Sequence, residues 1–257
     1  MKNINDLIDE QFCLSYELKI LSTRINLNKQ ERWLPGFTDS ITDFDHQQRY
    51  DWATQFVKNK SVLDIACGTG KGSYIMANEG ARYVIGCDIE EDAVRYSSIK
   101  YKHENLQFQV QDATKYRSQK PFDVIISFET IEHINNTQEY LETMNQNLDS
   151  NGLYIVSTPI ATIPENFNPK NSFHVIEWGF NKFQEVISSK FKIKKVYLQL
   201  HEKRPYSFIE NKINRFFPKK QNYRNTKIEE FSPKTPTNKL GKQLNGYQIL
   251  VCTKKVN

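Results

Sequence analysis

Ser61-Val-Leu-Asp64-Ile-Ala66-Cys-Gly68-Thr-Gly70-Lys-Gly72-Ser73 decides how this chain is read. The short apolar run Ser61 to Ala66 ends at a glycine cluster, as expected of a buried parallel strand feeding a helix. In an open α/β sheet, ligands bind beyond the carboxyl ends of the strands. Glycines at the first strand–helix turn let backbone approach a ligand with no Cβ in the way. Asp88 ends the second apolar run, twenty residues after Gly68, where a carboxylate can accept from both hydroxyls of a ribose. Asp112 follows the third run, in Gln111-Asp112-Ala113, placed to meet an adenine edge. Two other glycine loops fail on details. A phosphate loop GxxxxGK[ST] needs Gly where Ile65 stands and Ser or Thr where Gly72 stands; a dinucleotide GxGxxG loop needs Gly where Ser73 stands.

Outward from that turn, strands are expected at Arg82 to Cys87, Leu106 to Val110, Phe122 to Phe128 and Leu153 to Ser157. Helices fall between them at Glu91 to Tyr101 and Thr137 to Leu148, the latter punctuated by Asn151-Gly152. This alternation predicts an α/β fold with a doubly wound, mostly parallel, seven-stranded sheet and right-handed crossovers. Upstream, Leu7, Ile8, Phe12, Leu14, Leu18 and Leu21 predict a helix from Met1 to about Lys29. Pro35-Gly36 breaks it, and a second helix, Asp43 to Val57, has Phe44, Tyr50, Trp52 and Phe56 available for packing. After Thr158 a Pro-rich stretch of about twenty residues reads as a binding loop. A helix Asn181 to Ser189, a strand Phe191 to Leu200, an irregular insertion and a last strand Gln248 to Lys254 complete the chain. The expectation is one domain: a helical cap 1–58, a core 59–200, a basic insertion 201–243 and a last strand 244–257, with insertions after strands 5 and 6.

Composition excludes several classes. Charged residues make up 25% of the chain, and no apolar run reaches the roughly 18–20 residues that span a bilayer. Met1 to Glu10 is polar and acidic, unlike a secretory signal, so a cytoplasmic location is expected. Cys13, Cys67, Cys87 and Cys252 show no metal-ligand or disulfide spacing; reduced thiols and no metal are expected. The net charge of +5 is concentrated: 201–243 holds eleven Lys/Arg against four Glu. A nucleic-acid binder carries a broader basic footprint. A local basic segment suits an anionic or phosphorylated small molecule, or is a solvated face.

The runs VLDIACGTGKGS, GCDIEEDAV, QDAT and FDVIISFETIEHI together resemble the successive motifs of Rossmann-like class I S-adenosylmethionine-dependent methyltransferases, over roughly Glu31 to Phe191. ERWLPG, FETIEHI, STP and NSFHVIEW further resemble a bacterial subgroup associated with surface-polysaccharide and other sugar-modifying pathways. Lys71 and Ile160 depart from that subgroup's usual residues. The resemblance implies S-adenosylmethionine as cofactor. It implies Asp64 and the backbone at Ala66, Gly68 and Gly70 on the methionine end, Asp88 on the ribose and Ile89 flanking the adenine. Asp112 and Ala113 would read the adenine edge, and the Phe128 carbonyl would take the methionine amine.

A sulfonium methyl is already electrophilic, so the chemistry needs in-line positioning and, for a hydroxyl acceptor, a base. His133, in Glu129-Thr-Ile-Glu132-His133 just past the fourth strand, is the base candidate, with a structural cap as the other reading. Glu129 or Glu132 would orient it, and His174 in the Pro-rich loop is a second candidate. Arg32 and Trp33 are candidates to cover the site; Lys203, Arg204 and Tyr206 are candidates to pair with an anionic acceptor. The expected function is methyl transfer to a small polar acceptor, an oxygen on a sugar, nucleotide-sugar or capsule or surface-glycan precursor. N-methylation of an amino sugar and a cofactor-binding but inactive partner subunit are the alternatives; fold alone does not choose between them. RNA or protein methylation is more distant: Ser127-Phe128-Glu129-Thr130 stands where methyltransferases of nucleic-acid bases carry Asn/Asp-Pro-Pro-aromatic.

Overall fold

The computed structural model describes residues 3–27, 32–37, 40–203, 223–225, 227–231 and 246–255. Helices α1 (Ile4–Leu27) and α2 (Ser40–Ala53) precede strand β1 (Ser61–Ile65), whose five residues are all buried. Then follow α3 (Lys71–Asn78), β2 (Tyr83–Asp88), α4 (Glu91–Lys100), β3 (Leu106–Val110), β4 (Phe122–Phe128), α5 (Thr137–Asn147) and β5 (Leu148–Pro159). A two-residue hairpin, β6 (Glu165–Asn166) and β7 (Glu177–Trp178), lies in the Pro-rich loop. The chain continues through α6 (Phe180–Ser188), β8 (Phe191–Lys203), β9 (Tyr223–Asn225), β10 (Glu229–Glu230) and β11 (Gly246–Lys254).

The main sheet runs β10-β8-β11-β5-β4-β1-β2-β3, with β9 also paired to β8. Strands β1 to β5 pair in parallel, and β11 runs antiparallel to both β5 and β8. Seven strands are those expected; β9 and β10 are short additions from the segment read as an irregular insertion. Strand order reverses at β1, which pairs with β2 on one side and β4 on the other, so the ligand crevice opens at its carboxyl end.

Both faces are covered. One carries Tyr140, Leu141 and Met144 of α5 with Phe183 and Ile187 of α6; the other carries Tyr50 and Ala53 of α2 with Ile75, Met76 and Ala77 of α3. A third cluster joins Cys13, Tyr16 and Ile20 of α1 to Ala93 and Tyr96 of α4. All four cysteines are free and buried.

Three details differ from the sequence expectation. Helix α1 forms, but it buries Cys13, Tyr16 and Ile20 while Leu7, Ile8, Leu14 and Leu18 are exposed. In α2, Phe44 is exposed and the polar Asp45 and Arg49 are buried. Strand β5 begins at Leu148 and runs through Asn151-Gly152, with a register irregularity against β4. A Cβ on Gly152 would sit 3.0 Å from the Asp123 carbonyl oxygen, so this glycine serves a close strand approach rather than only ending a helix.

Candidate active site

The turn after β1 is shaped by left-handed backbone. Ala66, Gly68 and Gly70 have φ of 58°, 57° and 81°. A left-handed alanine is costly, and here it redirects the chain sharply above the strand tip. The Cys67 N–H donates to the Cys87 carbonyl at 2.8 Å and ties the turn to β2. A Cβ on Gly70 would meet Ser97 and Phe108 at 2.6–2.7 Å, so the turn packs against α4 and β3 only as glycine. A Cβ on Gly68 would meet nothing within 4 Å, which leaves open space in front of the turn.

Asp64 has no solvent exposure and accepts from Ser73 Oγ at 2.6 Å and from the Tyr50 hydroxyl at 3.1 Å. Burial pushes its carboxyl up to about 7, against the opposing pull of these two hydrogen bonds. Burial beside Asp64 also drives the Tyr50 phenol up. Asp64 therefore acts through the turn it braces, with its oxygens directed to α2 and α3.

At the tip of β2, Asp88 Oδ2 accepts the Gly68 N–H at 2.9 Å and Oδ1 accepts the Glu90 N–H at 3.0 Å. Arg32 lies across it, with Nη1 3.1 Å from Asp88 Oδ1 and Nε 2.8 Å from Glu90 Oε2. Trp33 is buried, donates Nε1–H to Asp43 at 3.0 Å, and its carbonyl accepts the Thr69 hydroxyl of the glycine turn at 2.6 Å. Arg32 and Trp33 thus cover the strand tips expected to take the cofactor. Ile89 is 70% exposed and Val110 48% exposed on neighbouring tips, two aliphatic side chains beside one another at the crevice. Asp112 Oδ1 accepts the Thr114 hydroxyl at 2.7 Å and the Thr114 N–H at 2.8 Å, which hold its carboxyl below the usual range. Ala113 packs at the core edge beside it. Open space before Gly68, a carboxylate on β2 and exposed apolar flanks for a flat ring fit an adenosyl ligand.

Past β4, Phe128 is buried and its carbonyl accepts the Thr130 hydroxyl at 3.1 Å. Glu129 has φ of 51°, and this turn sends its carboxylate toward β5, where Ser157 Oγ donates to it at 2.7 Å. Burial raises the Glu129 carboxyl, opposed chiefly by the Arg49 charge. Glu132 is fully buried in the next turn and accepts the Thr158 hydroxyl at 3.2 Å. His133 Nδ1 lies 3.0 Å from the Phe173 carbonyl oxygen; only an N–H satisfies a carbonyl, so a neutral ring keeps its lone pair on Nε2. His174 packs edge-on to His133 with ring centroids 4.8 Å apart. Its Nδ1 donates to Glu177 at 2.7 Å and its Nε2 accepts from Asn171 at 2.9 Å. Ligating atoms of Glu132, His133 and His174 lie within 4.8 Å of one another, the spacing of a cation site. With both its nitrogens already hydrogen-bonded, His174 is a polar brace between the β4 turn and the Pro-rich loop.

Several residues at this edge were not anticipated. Arg49 has no solvent exposure, donates Nη1–H to Gln199 Oε1 at 2.7 Å and lies 4.3 Å from the Tyr247 ring centroid. Asp45, one helical turn earlier, bonds His201 Nε2 at 2.6 Å. The available signal was the i, i+4 pair of charged residues on a helix otherwise read for its aromatics. Arg204 and Tyr206 lie outside the described residues, as does the Lys203 side chain.

The strand order, the glycine turn at the switch point, the acid ending β2 and the antiparallel β11 define the Rossmann-like fold of class I S-adenosylmethionine-dependent methyltransferases. A family model described as a methyltransferase domain matches residues 56–215, and the chain belongs to that family. A probable S-adenosylmethionine-dependent methyltransferase of Mycolicibacterium smegmatis is 29% identical over 168 residues, 62% of each chain. A ubiquinone biosynthesis O-methyltransferase of Pelagibacter ubique is 27% identical over 125 residues, 48% of this chain and 52% of that one. The chain therefore spans less than two thirds of the length of these curated relatives. A solved Burkholderia thailandensis 1,6-didemethyltoxoflavin-N1-methyltransferase, with bound 1,6-didemethyltoxoflavin and S-adenosylhomocysteine, shares the fold with a TM-score of 0.58. It is 13% identical, and the match covers 96% of this chain and 90% of that one. The family model is that of a methyltransferase domain, and the Mycolicibacterium smegmatis relative is described as S-adenosylmethionine-dependent. No helix among the described residues is long and apolar enough to cross a membrane.

Proposed function

We propose that the chain methylates an oxygen of a small polar acceptor, a sugar, nucleotide-sugar or related surface-glycan precursor. The observation that carries this reading is His133 just past β4, its Nδ1 on the Phe173 carbonyl and its ring against His174, close to the Glu129 carboxylate and to the Phe128 carbonyl expected to take the methionine amine. When bound, S-adenosylmethionine supplies an electrophilic methyl group, with Asp88 on its ribose, Ile89 and Asp112 on its adenine, and the glycine turn on its methionine. The protein's own task is to hold the acceptor hydroxyl in line and remove its proton. Holding it is worth about 7–11 kcal/mol. His133 takes the proton on Nε2, while the Phe173 carbonyl keeps Nδ1 protonated and the ring oriented. Glu129, fixed by Ser157, steadies the imidazolium that results.

The wall beyond favours a polyol. Gln248 is fully buried, and neither end of its amide has a hydrogen-bond partner among the described residues. It stands in register with Thr158 on β5, so a sugar hydroxyl pair would satisfy both ends.

The test is S-adenosylhomocysteine formation with a panel of nucleotide-sugars, free deoxysugars and the matching amino sugars. Hydroxyl acceptors should turn over, and His133→Ala should lower kcat by about 10²–10⁴-fold with cofactor affinity unchanged. Turnover of amino sugars alone would replace oxygen by nitrogen in this reading. Tight cofactor binding with no product from any acceptor would point to an inactive partner subunit.

A further inference from the structure

Arg49 is a buried cation with part of its hydrogen-bonding capacity unspent. Nη1 is committed to Gln199, but Nε and Nη2 are buried without a hydrogen-bond partner. Among the described residues, no ion pair within 4.0 Å is formed by the guanidinium: Asp45 is held by His201, and Glu129, whose carboxyl feels the Arg49 charge, is hydrogen-bonded to Ser157. Nε–H and Nη2–H project in parallel from one edge of the planar group, the edge that accepts two oxygens of a carboxylate or phosphate side by side. Leaving such donors buried and unpaired is costly, and a native site resolves the cost with a partner.

The topology says where that partner would lie. Tyr247 pairs in register with Pro159 of β5 and with Gln199 of β8, so these residues share the edge where the parallel strands end. Along the sheet, β11 is separated from β1 by β4 and β5, which places the Arg49 contacts on the far side of Glu129 from the glycine turn. Tyr50, the next residue on α2, faces the other way, onto Phe128 and Asp64. Residue 49 thus packs toward β8 and β11, on the side proposed for the acceptor, and residue 50 toward the glycine turn.

We propose that the Nε–Nη2 edge of Arg49 is a subsite for an oxyanion, a carboxylate or phosphate, carried by the methyl acceptor. This rests on the methyltransferase reading above and narrows its acceptor to anionic molecules. The stacked Tyr247 ring and the Gln199 amide fix the plane of the guanidinium, so Lys at this position would keep the charge and lose the paired geometry.

The experiment uses the full chain saturated with S-adenosylhomocysteine and titrated with inorganic phosphate, acetate and, as a neutral control, glycerol. Binding is followed by calorimetry and by the Arg49 Nε–H resonance. The expected result is that phosphate or acetate shifts that resonance and binds at least ten-fold more weakly to Arg49→Lys, while glycerol does neither; which anion binds decides between phosphate and carboxylate. S-adenosylhomocysteine affinity should be unchanged in Arg49→Lys. If neither anion moves the resonance of the wild-type chain, the proposal is wrong, whether or not the variant folds. A loss of S-adenosylhomocysteine affinity in Arg49→Lys, with methylthioadenosine affinity retained, would overturn it by making the cofactor's own carboxylate the partner. Failure of the wild-type chain to bind S-adenosylhomocysteine would instead sink the methyltransferase reading beneath it.

Discussion

Asp64 shows how a residue braced out of solvent leaves a mark on stability. Burial holds its carboxyl at about 7, above the ordinary value of 3.8. The folded state therefore retains a proton that the unfolded chain releases, and stability is greatest below the ordinary value and falls as pH rises toward 7. The slope is about 1.4 kcal/mol per pH unit across that window. Asp64→Asn should flatten it, which urea midpoints compared at pH 5 and pH 8 will read; an unchanged slope would mean the carboxylate ionises without cost. At this scale the strand-end positions of Asp64, Asp88 and Asp112 and the left-handed turn at Gly68 and Gly70 were legible in the sequence. Each sits in a local run whose backbone conformation or strand-end position follows from its neighbours. Arg49, Gln199 and Tyr247 were not, because they come from distant stretches of chain and meet only after β8 and β11 have paired.

Among the elements, α2 carries the most consequence and was the least well read. Aromatic periodicity predicted the helix, but Phe44 faces out while Asp45, Arg49 and Tyr50 face in, since the helix spans polar strand tips as well as core. Helix α1 shows the same limit: several of its leucines are exposed, and its docking face is set by Tyr16 and Glu17 meeting Glu90, just before α4, and Tyr96 and Lys100 of α4. The parallel strands, by contrast, announced themselves, because residues buried on both sides leave an apolar run that local reading detects. Packing of α2 depends on Gly72, where a Cβ would run into the Tyr50 ring. Gly72→Ala should cost about 1–3 kcal/mol by overpacking and disturb both Asp64 and Arg49. Denaturation midpoints and cofactor titrations should therefore fall together; a loss of affinity at full stability would contradict this account.

Over the whole molecule, the residues proposed for the cofactor come mainly from one continuous stretch, β1 to β4, with Arg32, Trp33 and Tyr50 laid over it. The proposed acceptor side draws on α2, the turn past β4, β5, β8 and β11. Ligand at the cofactor half should stabilise the entire fold by mass action. At about one hundred times its Kd, S-adenosylhomocysteine should contribute about 2.7 kcal/mol, a rise of roughly 5–10 °C in Tm for a chain of this size. At the same concentration, Asp88→Ala should show little of that rise in a thermal scan. Trp33 offers a way to watch this happen. Its indole stacks with both His46 and Tyr50, at 5.3 and 5.8 Å, and its neighbour Arg32 spans the carboxylate expected to receive the ribose. Displacing that guanidinium should jostle the indole, so the chain carries its own optical gauge of donor loading. Emission should change on titration and fall silent in Trp33→Phe, although Trp52 and Trp178 still fluoresce.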